Sequence, residues 1–319
     1  MADRIPRTTR PLTLAVGAAV ATNILIVFTG GVVRVSGSGL GCSDWPTCDG
    51  QNIAPIAGGD HAAWQAYVEF GNRLLTFVVL AAAIAAVVQV RRTGPWPTAT
   101  RRLAWALPLG VVVQAVLGGI TVLTGLSPVT VAAHFLVSMA LIWAAVGLFV
   151  RTRPARADTA PIASGIRVGT TALAVVAGVV LVLGTIVTGS GPHGGDIAAP
   201  RFDLDLRVMA IAHADAVWLL IGLTIAMVVV TWRSPARRLA RGLQLLLVVE
   251  LLQGGIGYLQ YWLGVPPTLV SLHILGAALL WAVVTMVWFR ARPRPVTPSA
   301  PVGPDAVRTP ADAGELTGR

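Results

Sequence analysis

Three histidines stand inside long apolar runs of this chain, and the surroundings of two of them repeat. His273 follows a proline by six residues in PTLVSLHILGAALLW, residues 267–281, and His134 does the same in PVTVAAHFLVSMALIW, residues 128–143. His213 occupies a third run, IAHADAVWLL, residues 211–220. An ionisable side chain inside a membrane segment is costly and is usually kept for a task. Two imidazoles facing each other across a helical bundle suit the axial positions of a heme iron. Other metals fit less well, because no carboxylate or thiol shares the histidines' depth. The residue in the place of His213 in the other copy of the repeat is Asn72, a poor ligand for heme iron. One site would then offer two imidazoles, and the other a single imidazole opposite an open or weakly held face. Six-coordinate iron suits an electron carrier, whereas an exchangeable position suits binding or chemistry. The plainer reading is a set of separate, satisfied core histidines.

Asn72 lies in VEFGNRLLT, residues 68–76. Glu69, Asn72 and Arg73 are spaced i, i+3, i+4, so one helical face carries all three. Glu69 is one turn from Asn72 and could act as acid, base or cation stabiliser; alternatively it pairs with Arg73 as a polar cap at the membrane surface. Cys42 and Cys48 are the only cysteines, in GGVVRVSGSGLGCSDWPTCDG, residues 30–50. In an oxidising compartment they read as a disulfide or redox-active dithiol, against two free thiols. His193, in VTGSGPHGGD at 187–196, reads as a solvated loop histidine. Gln114 with Gly118-Gly119, and Glu250 with Gly254-Gly255, look like matched places: polar groups for hydrogen bonds between helices beside glycines that allow close approach.

These residues need long helices to hold them. The composition is 55% hydrophobic and 12% charged, and apolar runs of about 20 residues are long enough to span a bilayer. Eight are expected, near 11–33, 65–90, 103–125, 128–150, 167–189, 207–231, 239–262 and 267–289. The fold class is an all-α membrane protein, eight transmembrane helices arranged as two parallel four-helix-bundle repeats. The echoes LGGITVLTGLSPV and QGGIGYLQYWLGVPP, and VSGSG and VTGSG, support the repeat. The divisions are an N-terminal segment 1–10, a first unit 11–150, a linker 151–166, a second unit 167–289 and a tail 290–319. Asn72, His134, His213 and His273 all fall early in helices that run from outside to inside, hence in the outer half of the bilayer.

A net charge of +10 could suggest a nucleic-acid partner, but its placement excludes that reading. All 24 basic residues are arginines, and only Arg34, Arg73, Arg201 and Arg207 lie at the outer ends of the helices. The remainder follow the positive-inside bias, which puts both termini in the cytoplasm of a multi-pass protein of the cell membrane, with anionic lipid as a secondary contact. The first apolar run is too long for a signal peptide. The proline-rich tail reads as disordered.

Taken together and in order, the repeat, the outer loop with Cys42 and Cys48, VEFGNR, QAVLGGITVL and the three histidines resemble the heme A synthase family over about residues 11–289. The resemblance implies oxidation of the C8 methyl group of heme O to a formyl group by successive hydroxylations. It implies a heme b cofactor on His213 and His273, and a substrate heme site with His134, Asn72 and Arg73. Glu69 would be the essential acidic residue, and Cys42–Cys48 the outer disulfide. Heme O synthase and an electron acceptor are the implied partners, and oligomerisation is compatible with the reading. Many members carry histidine where this chain has Asn72, and His61, about two turns before Glu69, is badly placed to replace it. Two rival readings are a two-heme electron-transfer protein of b type and a heme transporter.

Overall fold

The computed structural model describes residues 6–56, 63–153 and 162–292. Among them the regular structure is helical throughout: α1 Arg10–Val35, α2 Ala63–Arg92, α3 Thr98–Leu123, α4 Pro128–Arg151, α5 Ser164–Ser190, α6 Leu206–Thr231, α7 Arg237–Trp262 and α8 Pro267–Arg290. All eight are long and apolar enough to cross a membrane, with mean hydropathy from 1.4 in α7 to 2.4 in α5, so the chain is a multi-pass membrane protein. His61, the linker residues 154–161 and the tail beyond 292 lie outside the described residues.

Helix starts follow local chemistry. Pro128 and Pro267 open α4 and α8, where a missing N–H costs nothing. Asp205 caps α6 by accepting the Val208 N–H at 2.9 Å. The α3–α4 and α7–α8 hairpins match end to end: Thr98 and Arg237, Leu123 and Trp262, Pro128 and Pro267, Arg151 and Arg290 are each 139 positions apart. Their turns match as well. Gly125-Leu126 and Gly264-Val265 are all left-handed, with φ of 61° at Leu126 and 54° at Val265. A left-handed leucine or valine costs about 1–2 kcal/mol. In return the Leu126 N–H bonds Thr121 O and the Val265 N–H bonds Gln260 O, closing each helix end.

Among the described residues, α1 packs on α2 and α4, and α3 on α2 and α4, so the first four helices close a ring. Helices α5 to α8 close a second ring in the same order, and α1 and α4 meet α8 while α4 also meets α5 along the seam. Each ring has its own buried apolar cluster, around Leu12, Leu107 and Leu148 in one and Leu173, Leu220 and Leu246 in the other. The seam is aromatic. Trp143 lies 5.3 Å from Trp281 and 4.9 Å from Trp288, and the Trp281 indole donates to Met139 O at 2.8 Å. Gly147 leaves the room that the Phe289 ring fills.

The end bearing the disulfide loop is tied by hydrogen bonds across the seam. Arg34 donates to His193 O at 2.5 Å and to Thr188 O at 2.8 Å, and the Gly39 N–H to Gly195 O at 2.8 Å. His193 is therefore not a solvated loop histidine: it is half-buried, and its Nε2 lies 2.8 Å from Val265 O.

Candidate functional site

The three histidines and Asn72 are presented in one local arrangement. In each case the side chain sits over a glycine of the preceding helix. A methyl group added at Gly118 would lie 3.4 Å from Cε1 of His134, at Gly184 3.2 Å from Cε1 of His213, and at Gly257 3.3 Å from Cε1 of His273. Asn72 completes the set, its Nδ2 being 3.9 Å from such a group at Gly30. Asn72 thus occupies in the α1–α2 hairpin the place His213 occupies in α5–α6. The glycines bring the helices close, and a larger side chain there would push the ring away.

His213 and His273 face each other, ring centroids 6.4 Å apart and planes at 69°. His213 Nδ1 lies 3.1 Å from Val180 O. A carbonyl only accepts, so this contact selects the Nδ1–H tautomer and leaves the Nε2 lone pair for a ligand. Nδ1 of His134 and of His273 is buried without a hydrogen-bond partner among the described residues. The helices bearing these two are held by glutamines twenty positions earlier: Gln114 Nε2 donates to His134 O at 3.0 Å, and Gln253 Nε2 to His273 O at 2.6 Å. Gln114 also reaches the Ser138 hydroxyl.

This geometry corrects the register read from the sequence. The equivalent of Gln114 is Gln253, not Glu250, and the equivalent of Gly118 is Gly257, not Gly254. The paired glycines pulled the sequence comparison three residues, almost one turn, out of phase. Among the described residues no neighbouring-helix atom lies within 4 Å of a methyl group added at Gly254 or Gly255, so these are not close-approach positions.

Asn72 is fixed as well. Its Oδ1 accepts from the Thr29 hydroxyl at 2.7 Å, leaving the amide NH₂ for anything on its open side. Its neighbours Glu69 and Arg73 turn toward the disulfide loop. The disulfide Cys42–Cys48 closes a loop of sequence separation 6, with Cα atoms 4.3 Å apart. Glu69, only 6% exposed, accepts the Cys42 N–H on Oε2 at 2.7 Å and the Arg73 guanidinium on Oε1 at 2.7 Å. Arg73 continues outward to Thr47 O and Asp44 O, both at 2.9 Å. Trp45 lies against Gly119, one residue from the glycine under His134. Farther out, the Asn52 and Gln51 N–H groups hold the exposed Asp49 carboxyl below its usual range.

Glu69 and Arg73 do pair, as the surface-cap reading had it, but the pair is largely buried and its bonds clamp the loop. The clamp was not visible in the sequence, because its partners in the loop are backbone groups: the Cys42 N–H and the Thr47 and Asp44 carbonyls. Among the described residues no three of His, Cys, Asp and Glu gather as a metal cluster. The imidazole pair is the donor set on offer.

A helical membrane protein presenting paired imidazoles across a bundle belongs to the class that can hold heme. Residues 13–193 match the family described as Cytochrome oxidase assembly protein. That is more than half of the chain, and the chain belongs to this family. The matched stretch contains Cys42, Cys48, Glu69, Asn72, Arg73 and His134 and ends before His213. Among similar proteins is the Heme A synthase of Symbiobacterium thermophilum, 34% identical over 179 residues, 53% of this chain and 56% of that protein. That of Shewanella oneidensis is 29% identical over 152 residues, 42% and 43% of the two chains. That of Methylobacterium radiotolerans is 31% identical over 124 residues, 36% and 33%. The chain thus spans about half or less of the length of the curated relatives it matches.

Proposed function

We propose that this protein is a heme A synthase of the cell membrane, with both termini cytoplasmic, oxidising the C8 methyl group of heme O to a formyl group. The observation that carries the reading is an asymmetry within a repeated arrangement: His213 faces His273, while Asn72, tied to Thr29, stands in the place of His213 in the other ring. One ring is equipped to retain a heme permanently, and the other to hold one by a single imidazole.

The α5–α8 unit, residues 167–289, holds heme b between His213 and His273. The two imidazoles, ring centroids 6.4 Å apart with apolar helices around them, would hold the heme by a ring nitrogen each. When bound there, heme b takes up and passes on single electrons. Val180 O orients the His213 ring for that role, and Gln253 anchors the backbone at His273.

The α1–α4 unit, residues 11–150, holds heme O as substrate. His134 supplies the ring over Gly118, and Asn72 offers only an amide on its side. Each hydroxylation takes an oxygen from water and releases two electrons and two protons; the second gives a geminal diol, which loses one water to leave the formyl group, so the two oxidations together deliver four electrons to an acceptor in the membrane. Glu69 contributes a buried negative charge close to Asn72, which stabilises positive charge developing on the methyl carbon. Arg73 and the Cys42 N–H hold that carboxylate in place, and the disulfide loop covers this end and limits water.

The test is conversion in membranes supplied with heme O, scored by chromatography of extracted hemes. Heme A is the expected product. Stable heme b without heme A would make the protein an electron carrier, and no retained heme would favour a transporter.

A further inference from the structure

Glu250 is a carboxylic acid at the midpoint of α7, and nothing in the proposed chemistry uses it. It is 1% exposed, and its one hydrogen bond among the described residues is from the Thr224 hydroxyl of α6 to Oε1, at 2.8 Å. Oε2 is buried and meets no donor among the described residues. In the other ring the same register position, 139 earlier, is Val111, an ordinary buried core residue. The acid therefore belongs only to the unit with the facing imidazoles. It lies seven residues from Gly257, the glycine under His273, or about 10 Å along the helix. It also lies one turn from Gln253, which holds the His273 carbonyl.

We propose, resting on the reading of His213 and His273 as a heme site, that Glu250 is the proton-holding group of that site. An electron delivered there draws one proton from solvent onto a Glu250 oxygen, and its departure releases the proton. In turnover the electron comes from the substrate methyl group as it is oxidised; in the test it comes from an electrode. A buried carboxylate with one hydroxyl donor and no cation is poorly compensated. It is tolerated best while the site nearby carries an extra positive charge, and least once an electron has removed that charge.

The charged and titratable groups on the helices packed against α7 do not substitute for it. Among the described residues, Arg207, His213 and Asp215 of α6, and His273 and Arg290 of α8, are not hydrogen-bonded to Glu250, whose partner is Thr224. On α7 itself Arg237, Arg238 and Arg241 lie in the first two turns, and Tyr258 and Tyr261 in the last two. Arg290 donates to Arg238 O at that far end.

The experiment is potentiometric titration of the purified holoprotein across the whole pH range in which its absorption spectrum is stable. Coupling over about 10 Å at an effective dielectric constant of about 20 changes the reduction equilibrium by about tenfold. For a one-electron couple that is about 59 mV between the low- and high-pH limits. The wild type should show this fall in potential with rising pH, and Glu250→Gln should lose it while keeping its bis-imidazole absorption spectrum. A second measurement does not depend on that variant. The wild-type infrared difference spectrum on reduction should gain the carbonyl stretch of a protonated carboxylic acid, and Thr224→Val should shift that band. An unchanged pH response in Glu250→Gln, or no carboxylic acid band, overturns the proposal alone. Absence of a bis-imidazole heme from the wild type overturns the heme-site reading and this proposal with it.

Discussion

Replacing Glu69 by glutamine separates the two tasks that converge on this side chain. The carboxylate accepts the Cys42 N–H on one oxygen and Arg73 on the other. Glutamine keeps one acceptor oxygen but loses the charge. Hydrogen bonds to charged groups contribute about 1.5–3 kcal/mol and are roughly twice as strong as neutral ones. Loop docking should therefore weaken by about 1–2 kcal/mol, raising the undocked population about 5- to 30-fold. From a small starting population, the loop stays mostly in place. If the charge acts on the substrate, heme A formation should fall about 10²–10³-fold. Arg73→Ala is the contrasting change. It removes the bonds to Thr47 O and Asp44 O and strands Glu69 as a buried charge, at a cost of about 3–5 kcal/mol. Hydrogen exchange across residues 42–52 reports docking, and heme chromatography of the same membranes reports activity. Glu69→Gln should show a docked loop with little heme A, and Arg73→Ala an open loop. Heme A yield that simply tracks loop exchange in both variants would refute the electrostatic role of Glu69.

Three further outcomes are expected. Replacing Cys42 and Cys48 together by serine should raise loop exchange by an amount equivalent to about 2 kcal/mol, the loop-closure contribution for the separation of 6 residues; in the unmodified protein both thiols should resist alkylation until reduced. Gly184→Val should displace His213, given the 3.2 Å already separating an added methyl group from its ring, and abolish the low-spin heme spectrum, whereas Gly118→Val should spare that spectrum and suppress heme A. Gly147→Leu drives a side chain into Phe289 at the seam and should lower stability by about 1–3 kcal/mol, read as a drop in melting temperature.

The helices were legible because a bilayer leaves the sequence little freedom. All eight expected runs lie within or within two residues of the observed helices, since each span needs about 20 apolar residues. The histidines were legible for the same reason, being expensive where they stand. What the sequence hid depends on which side chain touches which. The register of α7 went astray because paired glycines catch the eye, whereas the spacing that matters runs from Gln253 through Gly257 to His273. His193 looked solvated because its acceptor, Val265 O, is 72 positions away. The loop clamp was hidden because Arg73 and Glu69 bond mostly to backbone groups, which carry no sequence signal of their own.

The hydrogen bonds joining the loops above the two rings have a directional consequence. Arg34 at the end of α1 and Gly39 in the loop after it bond the loop following α5, and His193 there bonds Val265 after α7, while Glu69, Arg73 and Trp45 fasten the disulfide loop to α2 and α3. Lifting this roof would break several partly buried polar bonds at once. Between neighbouring helices, by contrast, contacts are mostly dispersive, and lipid tails replace them at little cost. If the proposed reaction on heme O holds, the expected doorway for that flat, greasy ring is therefore sideways, through the wall of the bundle. Its supply would then follow its partition into lipid rather than its concentration in water.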